Sequence, residues 1–437
     1  MDTLVIYCKN KSNRLQYVLD WLLGERLQLK YILTDNENVL LDKKAHILYG
    51  SGIAIDCITI PDIGLLWQTG IHNVEPLCIS DLDTIPVLFK VDGIYEISFD
   101  LFSAIFYLIS RYEEYLPYTP DKHNRYPAND SILYKNAILK IPIIDLWVTD
   151  IKKRLEIKFN IDLPESKFNF LPTYDIDIAF SHLHKGIARI AGAYLRAILK
   201  GDIKQIDERI QILNNKQKDP YDSFHWLHQL HIENDIAPIY FILCAMKTTT
   251  YDKNLHPLHP AMLRIIKNLS KEGKIGIHPS YFYDRNEIIV KEKKILEEIL
   301  THSVAISRQH YIKINVPLTY RLLIKNNIQE DYSMGYGTHI GFRAGTGSSF
   351  LWYDIEKEAI TPLRIFPFCF MDTTAHFEEN LSVEQAFHQL KEMQKFLQQN
   401  NSTLITIFHN FSLGTSNLWL GWQNAYASFI DDIITKN

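Results

Sequence analysis

The sequence predicts an α/β protein made of a small N-terminal α/β domain, residues 1–165, and a parallel β/α barrel, residues 166–437. Three observations support this fold class. The chain is too long for one hydrophobic core of ordinary size, so more than one domain is expected. From residue 168 onward, short apolar runs alternate with helical segments, which is typical of parallel strands joined by crossover helices. Pro164 lies where the pattern changes and marks the predicted junction.

Composition excludes several classes of protein. Hydrophobic residues make up 46% of the chain and charged residues 22%, as in ordinary globular proteins, and a net charge of -5 gives no basic excess for binding nucleic acid. The five cysteines are scattered without C-x-x-C spacing, so neither a disulfide framework nor a cysteine zinc site is expected. The sequence has no signal-like amino terminus and no apolar stretch of the ~20 residues that span a bilayer, so we expect a cytoplasmic protein.

The N-terminal domain is predicted to combine short strands with helices. An amphipathic helix follows the first of the predicted strands, which lie at residues 3–7, 29–33, 47–49 and 53–57. No glycine-rich phosphate loop follows that first strand, so nucleotide binding is not supported. Residues 100–114 predict a helix that is hydrophobic nearly all round and therefore buried, and residues 143–155 predict another. The polar segment 119–131 is expected at the surface, as a solvated loop rather than an interface.

The barrel is predicted from alternating elements. Strands are expected at residues 168–174, 238–243, 274–278, 307–310, 331–334, 341–343, 364–370 and 404–409. Helices are expected at residues 222–234, 260–272, 286–300, 317–327, 383–400 and 422–434. A basic amphipathic stretch, residues 184–213, interrupts the alternation. Such a helix can lie on an anionic membrane surface, but acidic residues dilute its charge, and a solvated helix packed on the barrel is the favoured interpretation.

Two carboxylates end the first predicted barrel strand, in Asp175-Ile176-Asp177. A buried unpaired charge is costly, and α/β enzymes assemble their chemistry at the carboxyl ends of strands. The alternative is an acidic turn in which Asp177 caps the next helix. The pattern alone leaves both interpretations open.

Later strand ends add imidazole and guanidinium groups. His278 and His409 each end a strand, where a histidine can bind a metal, act as a general acid or simply form hydrogen bonds at the rim. Arg308-Gln309-His310 supplies a fixed positive charge and another imidazole, and an arginine near Asp175 would keep that carboxylate ionised, unless it only forms a structural ion pair. His256 and His259 suit a loop that leads into a helix better than a metal pair. Substrate contacts are predicted for Tyr281, Arg343 and Asp372.

In their order along the chain, these motifs resemble those of the polysaccharide-deacetylase (NodB-like) superfamily, carbohydrate esterase family 4 and its relatives. The matching segments are Thr173-Tyr174-Asp175-Ile176-Asp177, Gly276-Ile277-His278-Pro279-Ser280, Arg308-Gln309-His310-Tyr311 and Ile407-Phe408-His409-Asn410. The resemblance covers the chain from about residue 168 to its carboxyl end. The segment before it looks like the uncharacterised α/β domain that precedes such barrels in envelope-polysaccharide loci of some bacteria, which suggests a context but no chemistry.

The resemblance implies a deacetylase-like (β/α) barrel with zinc, or another divalent metal, held by one aspartate and two histidines. It implies that Asp177 and His278 are ligands and that Asp175 is the base. The second ligand histidine of the family normally comes four residues after the first, where this chain has Phe282. His310 would complete the site from the neighbouring strand. A two-ligand site filled by water and the loss of the metal are the other possibilities.

The implied function is metal-dependent hydrolysis of an N-acetyl group, or of an O-acetyl group, on an envelope sugar or a precursor that includes lipid-linked forms. In this chemistry, Asp175 accepts a proton from water with Arg308 orienting it, and His409 protonates the leaving nitrogen. One alternative is a non-catalytic carbohydrate-binding or assembly protein that keeps a degenerate barrel. Another is hydrolysis of a different non-peptide C–N bond. A carbohydrate is the expected partner, and peripheral contact with a membrane is compatible with the sequence.

Overall fold

The computed structural model describes residues 3–41, 46–50, 57–74, 76, 78, 79, 85–199 and 201–435. The N-terminal region holds a four-stranded parallel sheet in the order β2-β1-β3-β4. Its strands are β1 (Leu4–Tyr7), β2 (Tyr31–Thr34), β3 (His46–Tyr49) and β4 (Ile58–Ile60). Except for Cys57, the strand predicted at residues 53–57 lies outside the described residues.

Among its described residues, this region has the α-helices α1 (Asn13–Leu19), α2 (Leu101–Ile109), α3 (Ile132–Lys135) and α4 (Ile143–Phe159). The side chain of Ser12 caps α1 by accepting a hydrogen bond from the Leu15 amide. Every residue of α2 is buried, as its all-round hydrophobic pattern predicts. Strands β5 (Cys78–Ile79) and β6 (Val87–Leu88) form a separate antiparallel pair. The predicted domain boundary near residue 165 stays a prediction, since buried side chains of both regions form one contiguous cluster.

A nine-stranded sheet forms the second region, in the order β12-β13-β11-β10-β9-β8-β7-β15-β14. Its strands are β7 (Asn169–Ile176), β8 (Ile239–Leu243), β9 (Lys274–His278), β10 (Ile306–Ser307), β11 (Glu330–Met334), β12 (Phe350–Asp354), β13 (Ala359–Pro367), β14 (Phe370–Met371) and β15 (Thr403–His409). All strand pairs are parallel except β12 with β13. The sheet curls into a half-barrel, which confirms the predicted α/β class.

The backbone between β13 and β14 bridges the open side of the half-barrel. The Phe368 amide donates to the carbonyl of Met334 at 3.1 Å, and the Cys369 amide donates to that of Ile405 at 3.3 Å. The strand predicted at residues 341–343 was wrong. There the Gly341 amide bonds to the Cys369 carbonyl and the Phe342 amide to the Leu139 carbonyl, so the segment is a loop between the two regions.

The remaining helices are α5 (Ile187–Leu199), α6 (Ile203–Leu213), α7 (Phe224–Glu233), α8 (Pro260–Glu272), α9 (Asn286–Leu300), α10 (Leu318–Lys325), α11 (Val383–Gln399) and α12 (Trp422–Thr435). The stretch 184–213 is two helices rather than one, because Gly201 takes a left-handed φ of 65° and Asp202 caps α6. α5 leaves Leu195, Ile198 and Leu199 exposed, and contact with a lipid surface stays the less favoured of the two interpretations. Within the described residues, no helix has the length and apolar character needed to cross a bilayer.

Parallel pairing brings the carboxyl ends of the strands to one rim. Across β7 and β15, Asp175 lies in register with His409, and across β8 and β9, Leu243 lies in register with His278. The barrel interior below this rim is filled by apolar side chains such as Phe241 and Ile407. Polar groups from several strands therefore meet above a packed core.

Candidate functional site

A cavity of about 470 Å³ opens at the carboxyl ends of the parallel strands. This volume lies within the range of small-molecule sites, about 300–1,000 Å³. Five of the residues singled out in the sequence line it, namely Asp175, Asp177, His278, His310 and His409.

Asp177, His278 and His310 bring three potential ligand atoms within 4.8 Å of one another. His278 Nε2 lies 3.2 Å from Asp177 Oδ1, and His310 Nε2 lies 3.3 Å from Asp177 Oδ2. Asp177 Oδ1 is buried and accepts no hydrogen bond from any described residue. An oxygen in this position is costly unless a cation or a proton compensates it.

The outer nitrogens of the two histidines are already engaged. His278 Nδ1 lies 2.6 Å from the Arg308 carbonyl, and His310 Nδ1 lies 3.1 Å from Asp252 Oδ1. Since each acceptor calls for an N–H on Nδ1, each Nε2 is the ring nitrogen that faces Asp177, where it holds a proton or gives it up to bind a metal ion. Metal-binding histidines usually have such an outer partner. One carboxylate and two imidazoles with free Nε2 atoms fit a catalytic zinc site, which keeps one coordination position open.

Electrostatic attraction between the aspartates and histidines of this site shifts their pKa values. Burial raises the pKa of Asp177, but His310 and His278 outweigh burial and bring it well below the ordinary value. Burial lowers the pKa of His310, but Asp177 and Asp252 raise it to about 9. Burial also lowers the pKa of His409, and Asp372 and Asp177 raise it well above the ordinary value. The cluster therefore favours positive charge around Asp177, supplied by protons or by a metal ion that competes with them.

Arg308 binds Asp175 on the side that faces away from the cavity. Arg308 Nη1 donates to Asp175 Oδ1 at 2.9 Å and to Thr173 Oγ1 at 2.7 Å, and its Nε donates to the Tyr332 carbonyl at 3.0 Å. The guanidinium carbon lies 4.3 Å from the centroid of the Phe241 ring and is buried. Asp175 Oδ2 remains 3.8 Å from His278 Nε2. Arg308 therefore orients Asp175 rather than lining the cavity.

Asp372 performs a similar task for His409. Its Oδ1 lies 2.7 Å from His409 Nδ1, and its Oδ2 accepts hydrogen bonds from the His409 amide at 2.7 Å and from the Ser412 hydroxyl. His409 Nε2 remains 3.5 Å from Asp177 Oδ2. The substrate contact predicted for Asp372 is corrected, since this carboxylate is fully buried and its oxygens are used by His409 and Ser412.

The other two predicted substrate contacts also lie off the cavity. Tyr281 stacks on Tyr251 with ring centroids 3.8 Å apart, and it is Tyr251 that lines the cavity. Arg343 is 1% exposed and donates two hydrogen bonds to Glu114, at 2.8 and 2.7 Å. The substrate contact predicted for Arg343 is therefore corrected as well, because its charge is used to join the two regions.

Several residues at the site escaped the sequence reasoning. Asp252 lies nine residues beyond the end of β8, so the expectation that site residues follow strand ends does not predict it. Its loop does contain a turn in which the Thr249 hydroxyl donates a hydrogen bond to Asp252. The segment 119–131, expected to be a solvated loop, brings Lys122, His123 and Arg125 to the cavity.

His256 and His259 lie in the loop that leads into α8, as predicted. Their Nδ1 atoms accept hydrogen bonds from the amides of Leu258 and Ala261.

Comparisons with known proteins give a family match for the N-terminal region only. A family of unknown function, DUF7033, matches residues 4–160. No curated protein matches the chain.

Similar solved structures include three proteins described as polysaccharide deacetylases. The one from Mycobacterium smegmatis is 12% identical over 63% of this chain and 87% of that chain, with a TM-score of 0.40. The one from Pseudomonas aeruginosa PAO1 is 12% identical over 61% and 84%, with a TM-score of 0.37. Bc1974 from Bacillus cereus is 8% identical over 62% and 89%, with a TM-score of 0.29.

Proposed function

We propose that this protein is a metal-dependent hydrolase that removes an acetyl group, N-linked or O-linked, from a cell-envelope sugar or its precursor. The observation that carries the proposal is the convergence of Asp177, His278 and His310 on one point, with both Nδ1 atoms tied elsewhere. Zinc or another divalent ion would be held by these three residues. Such an ion supplies Lewis acidity, which polarises a carbonyl group and makes water nucleophilic near neutral pH.

The residues around this group suit the two proton transfers that hydrolysis requires. Asp175, held in orientation by Arg308, is the proposed general base that takes a proton from the attacking water. His409, held through Nδ1 by Asp372, has its Nε2 directed into the cavity and is the proposed general acid. It would protonate the departing nitrogen of an amide, because an amide anion cannot leave at neutral pH.

The lining of the cavity supports a carbohydrate substrate. Tyr311 and Phe377 line the cavity with rings that are 38% and 54% exposed, and such rings suit the apolar faces of sugars. Two exposed lysines, Lys122 and Lys253, line the same cavity. Their charge favours a substrate that carries an anionic group, such as the diphosphate of a lipid-linked sugar.

The competing proposal is a carbohydrate-binding protein without activity, motivated by Phe282 at the position of the family's usual second histidine. Zinc content after purification without added metal, followed by acetate release from N-acetylated and O-acetylated sugars, separates the two. We expect about one zinc per chain and acetate release that a chelator abolishes and zinc restores. A chain that binds sugar but neither binds zinc nor releases acetate would favour the competing proposal.

A further inference from the structure

The third proposed ligand, His310, is presented by an unusual stretch of backbone. β10 ends at Ser307, and residues His310–Ile312 form a short 3₁₀ turn. Inside it, Tyr311 and Ile312 have φ values of 60° and 50°, in the left-handed region. Residues with a Cβ avoid this region, and β-branched residues such as isoleucine avoid it most. The turn therefore depends on outside contacts to keep its shape and to hold His310 toward Asp177.

One outside contact comes from the N-terminal region. Arg125 Nη1 donates to the carbonyl of Tyr311 at 2.6 Å, across the boundary between the two regions. Asp121 fixes Arg125 in turn, since its Oδ2 accepts from Arg125 Nε at 2.8 Å and its Oδ1 accepts from the Arg125 amide at 3.0 Å. Arg125 is buried in spite of its charge. A buried guanidinium that is held by a carboxylate is a rigid support for the carbonyl that it contacts.

The barrel leaves room for this guanidinium at Gly337. A Cβ at this position would overlap Arg125 Nη1 and would also approach the Tyr311 carbonyl, at 3.4 Å. Glycine therefore admits Arg125 to the strained turn.

A second contact reaches His310 from its other side. The His123 ring shares a hydrogen bond of 2.9 Å with the Tyr281 hydroxyl. The amide of Tyr281 donates at 2.9 Å to Asp252 Oδ1, the oxygen that also lies 3.1 Å from His310 Nδ1. The N-terminal loop thus supports both the backbone after His310 and the carboxylate behind its ring.

We propose that the loop 121–126 of the N-terminal region is a positioning element of the metal centre. Through Arg125 it holds the turn that presents His310, and through His123 it supports Asp252. This inference rests on the proposed function for the identity of the ligand, a divalent cation. It assigns a role to the region that matches a family of unknown function.

The test compares Arg125→Ala with Arg154→Ala in the full-length chain. The two arginines make the same kinds of contact, because Arg154 also pairs with an aspartate four residues earlier (Asp150, 2.7 Å) and donates to a backbone carbonyl (Glu96, 3.0 Å), although its side chain is 39% exposed. Arg154, however, makes these contacts within the N-terminal region. We expect Arg125→Ala to weaken Zn²⁺ binding, measured by calorimetry, by no more than about 10- to 100-fold, the usual cost of losing an outer partner of a ligand, because Arg125 acts on His310 only through the backbone of the turn. Arg154→Ala should bind Zn²⁺ like the wild type.

A metal-free measurement keeps the test independent of the proposed function. The amides of Ile312 and Lys313 donate to the carbonyls of Gln309 and His310 within the turn. We expect hydrogen exchange at these two amides to be faster in metal-free Arg125→Ala and unchanged in Arg154→Ala. The Co²⁺-loaded variant should also have an altered visible spectrum, which a general loss of stability would not produce.

A second variant covers the case in which Arg125→Ala fails to fold. Gly337→Ala places a Cβ against Arg125 Nη1 and so displaces the end of this side chain while keeping its charge, and we expect the same faster exchange and weaker Zn²⁺ binding. Wild-type exchange and wild-type affinity in the folded variants would overturn the inference. If neither the wild type nor any variant binds zinc, the proposed function fails. The exchange measurement then still decides whether the loop supports the turn.

Discussion

Two largely buried clusters in this molecule each combine carboxylates with basic side chains, and they differ in how their atoms are used. The first, the interface cluster, consists of Arg111, Glu113, Glu114 and Arg343 and joins the two regions. All four of its carboxylate oxygens accept hydrogen bonds, including those from Arg111 at 2.7 Å and from Arg343 at 2.7 and 2.8 Å. The second, the cleft cluster, consists of Asp177, His278 and His310. There, Asp177 Oδ1 accepts no hydrogen bond from the described residues, and two imidazole Nε2 atoms face the same carboxylate.

The difference shows that burial and charge do not identify a functional site by themselves. Two arginines and two glutamates neutralise one another in the interface cluster, which leaves nothing to bind a ligand. In the cleft cluster, an unpaired carboxylate oxygen and two imidazole Nε2 atoms converge, and such an arrangement binds a cation, either protons or a metal ion that displaces them. The predictions below test this contrast, from the largest expected effect to the smallest.

The largest effects are expected at Asp175, which lies in β7, and at Asp177, which directly follows this strand. Asp177→Asn should lose zinc and with it all turnover, because it removes the charged ligand. Asp175→Asn should keep zinc and lose about 10²- to 10⁴-fold in turnover, the usual contribution of a general base. Zinc occupancy and acetate release of both variants are the measurements. If both variants lost zinc to the same extent, Asp175 and Asp177 could not have the different roles proposed for them.

In the interface cluster, Glu114→Gln should lower the free energy of unfolding by about 3–5 kcal/mol, because it leaves the buried Arg111 and Arg343 with one carboxylate fewer. Urea denaturation measures this loss, and zinc affinity of the folded variant should be unchanged. The control is Glu356→Gln, which removes a half-exposed partner of Arg321 and should cost at most about 1 kcal/mol. A loss of zinc affinity in Glu114→Gln would mean that the two clusters are coupled.

The same variant has a pH dependence of known sign. Burial raises the pKa of Glu114, but Arg343 and Arg111 outweigh burial and bring it below its ordinary value of 4.5. The stabilisation is therefore fully present above that ordinary value and is lost as the pH falls through the pKa of the folded state. The stability difference between wild type and Glu114→Gln should shrink in acid. A difference that stays constant down to the acid transition would contradict this account.

Local patterns predicted much of the fold. Helices α8 and α9 and strand β9 have the predicted bounds, because apolar periodicity and the residues at their ends act within a few positions of the chain. Strand β12 was missed because its antiparallel pairing with β13 is a tertiary contact. The loop at residues 341–343 was mistaken for a strand because its backbone bonds reach Leu139 and Cys369, far away in the sequence.

The site divides in the same way. Asp175, Asp177, His278 and His409 follow apolar strands, and parallel pairing brings strand ends together without further information. Asp252 and Arg125 lie on loops whose course depends on tertiary packing. Arg343 has the same local pattern as a rim residue, and only its partner Glu114, 229 positions away, reveals a structural role.

The next largest loss of zinc affinity, after that of Asp177→Asn, is expected from a substitution of His310, the proposed third ligand. His310→Ala leaves one carboxylate and one imidazole, so zinc affinity should fall by more than the ~100-fold upper cost of losing an outer partner. Phe282→His should not rescue it, because Phe282 is 42% exposed and packs on the side of Tyr251 and Tyr281 rather than lining the cavity. Calorimetric titration of the single and double variants measures both. Wild-type affinity in His310→Ala would reject His310 as a ligand and favour the non-catalytic alternative.

The smallest effect is expected at Asp252, the outer partner of His310. Asp252→Asn keeps the size of the side chain and an oxygen for the Tyr281 amide, but it removes the negative charge that Nδ1 of His310 faces at 3.1 Å. The imidazole becomes a weaker donor to a metal and is held less firmly, so zinc affinity should fall by about 10- to 100-fold while the protein stays folded. His278 provides the internal comparison, because its outer partner is the Arg308 carbonyl, which no side-chain substitution at position 308 removes. If Asp252→Asn binds zinc like the wild type, Asp252 only shapes its loop, and the free lone pair of His310 does not depend on a charged partner.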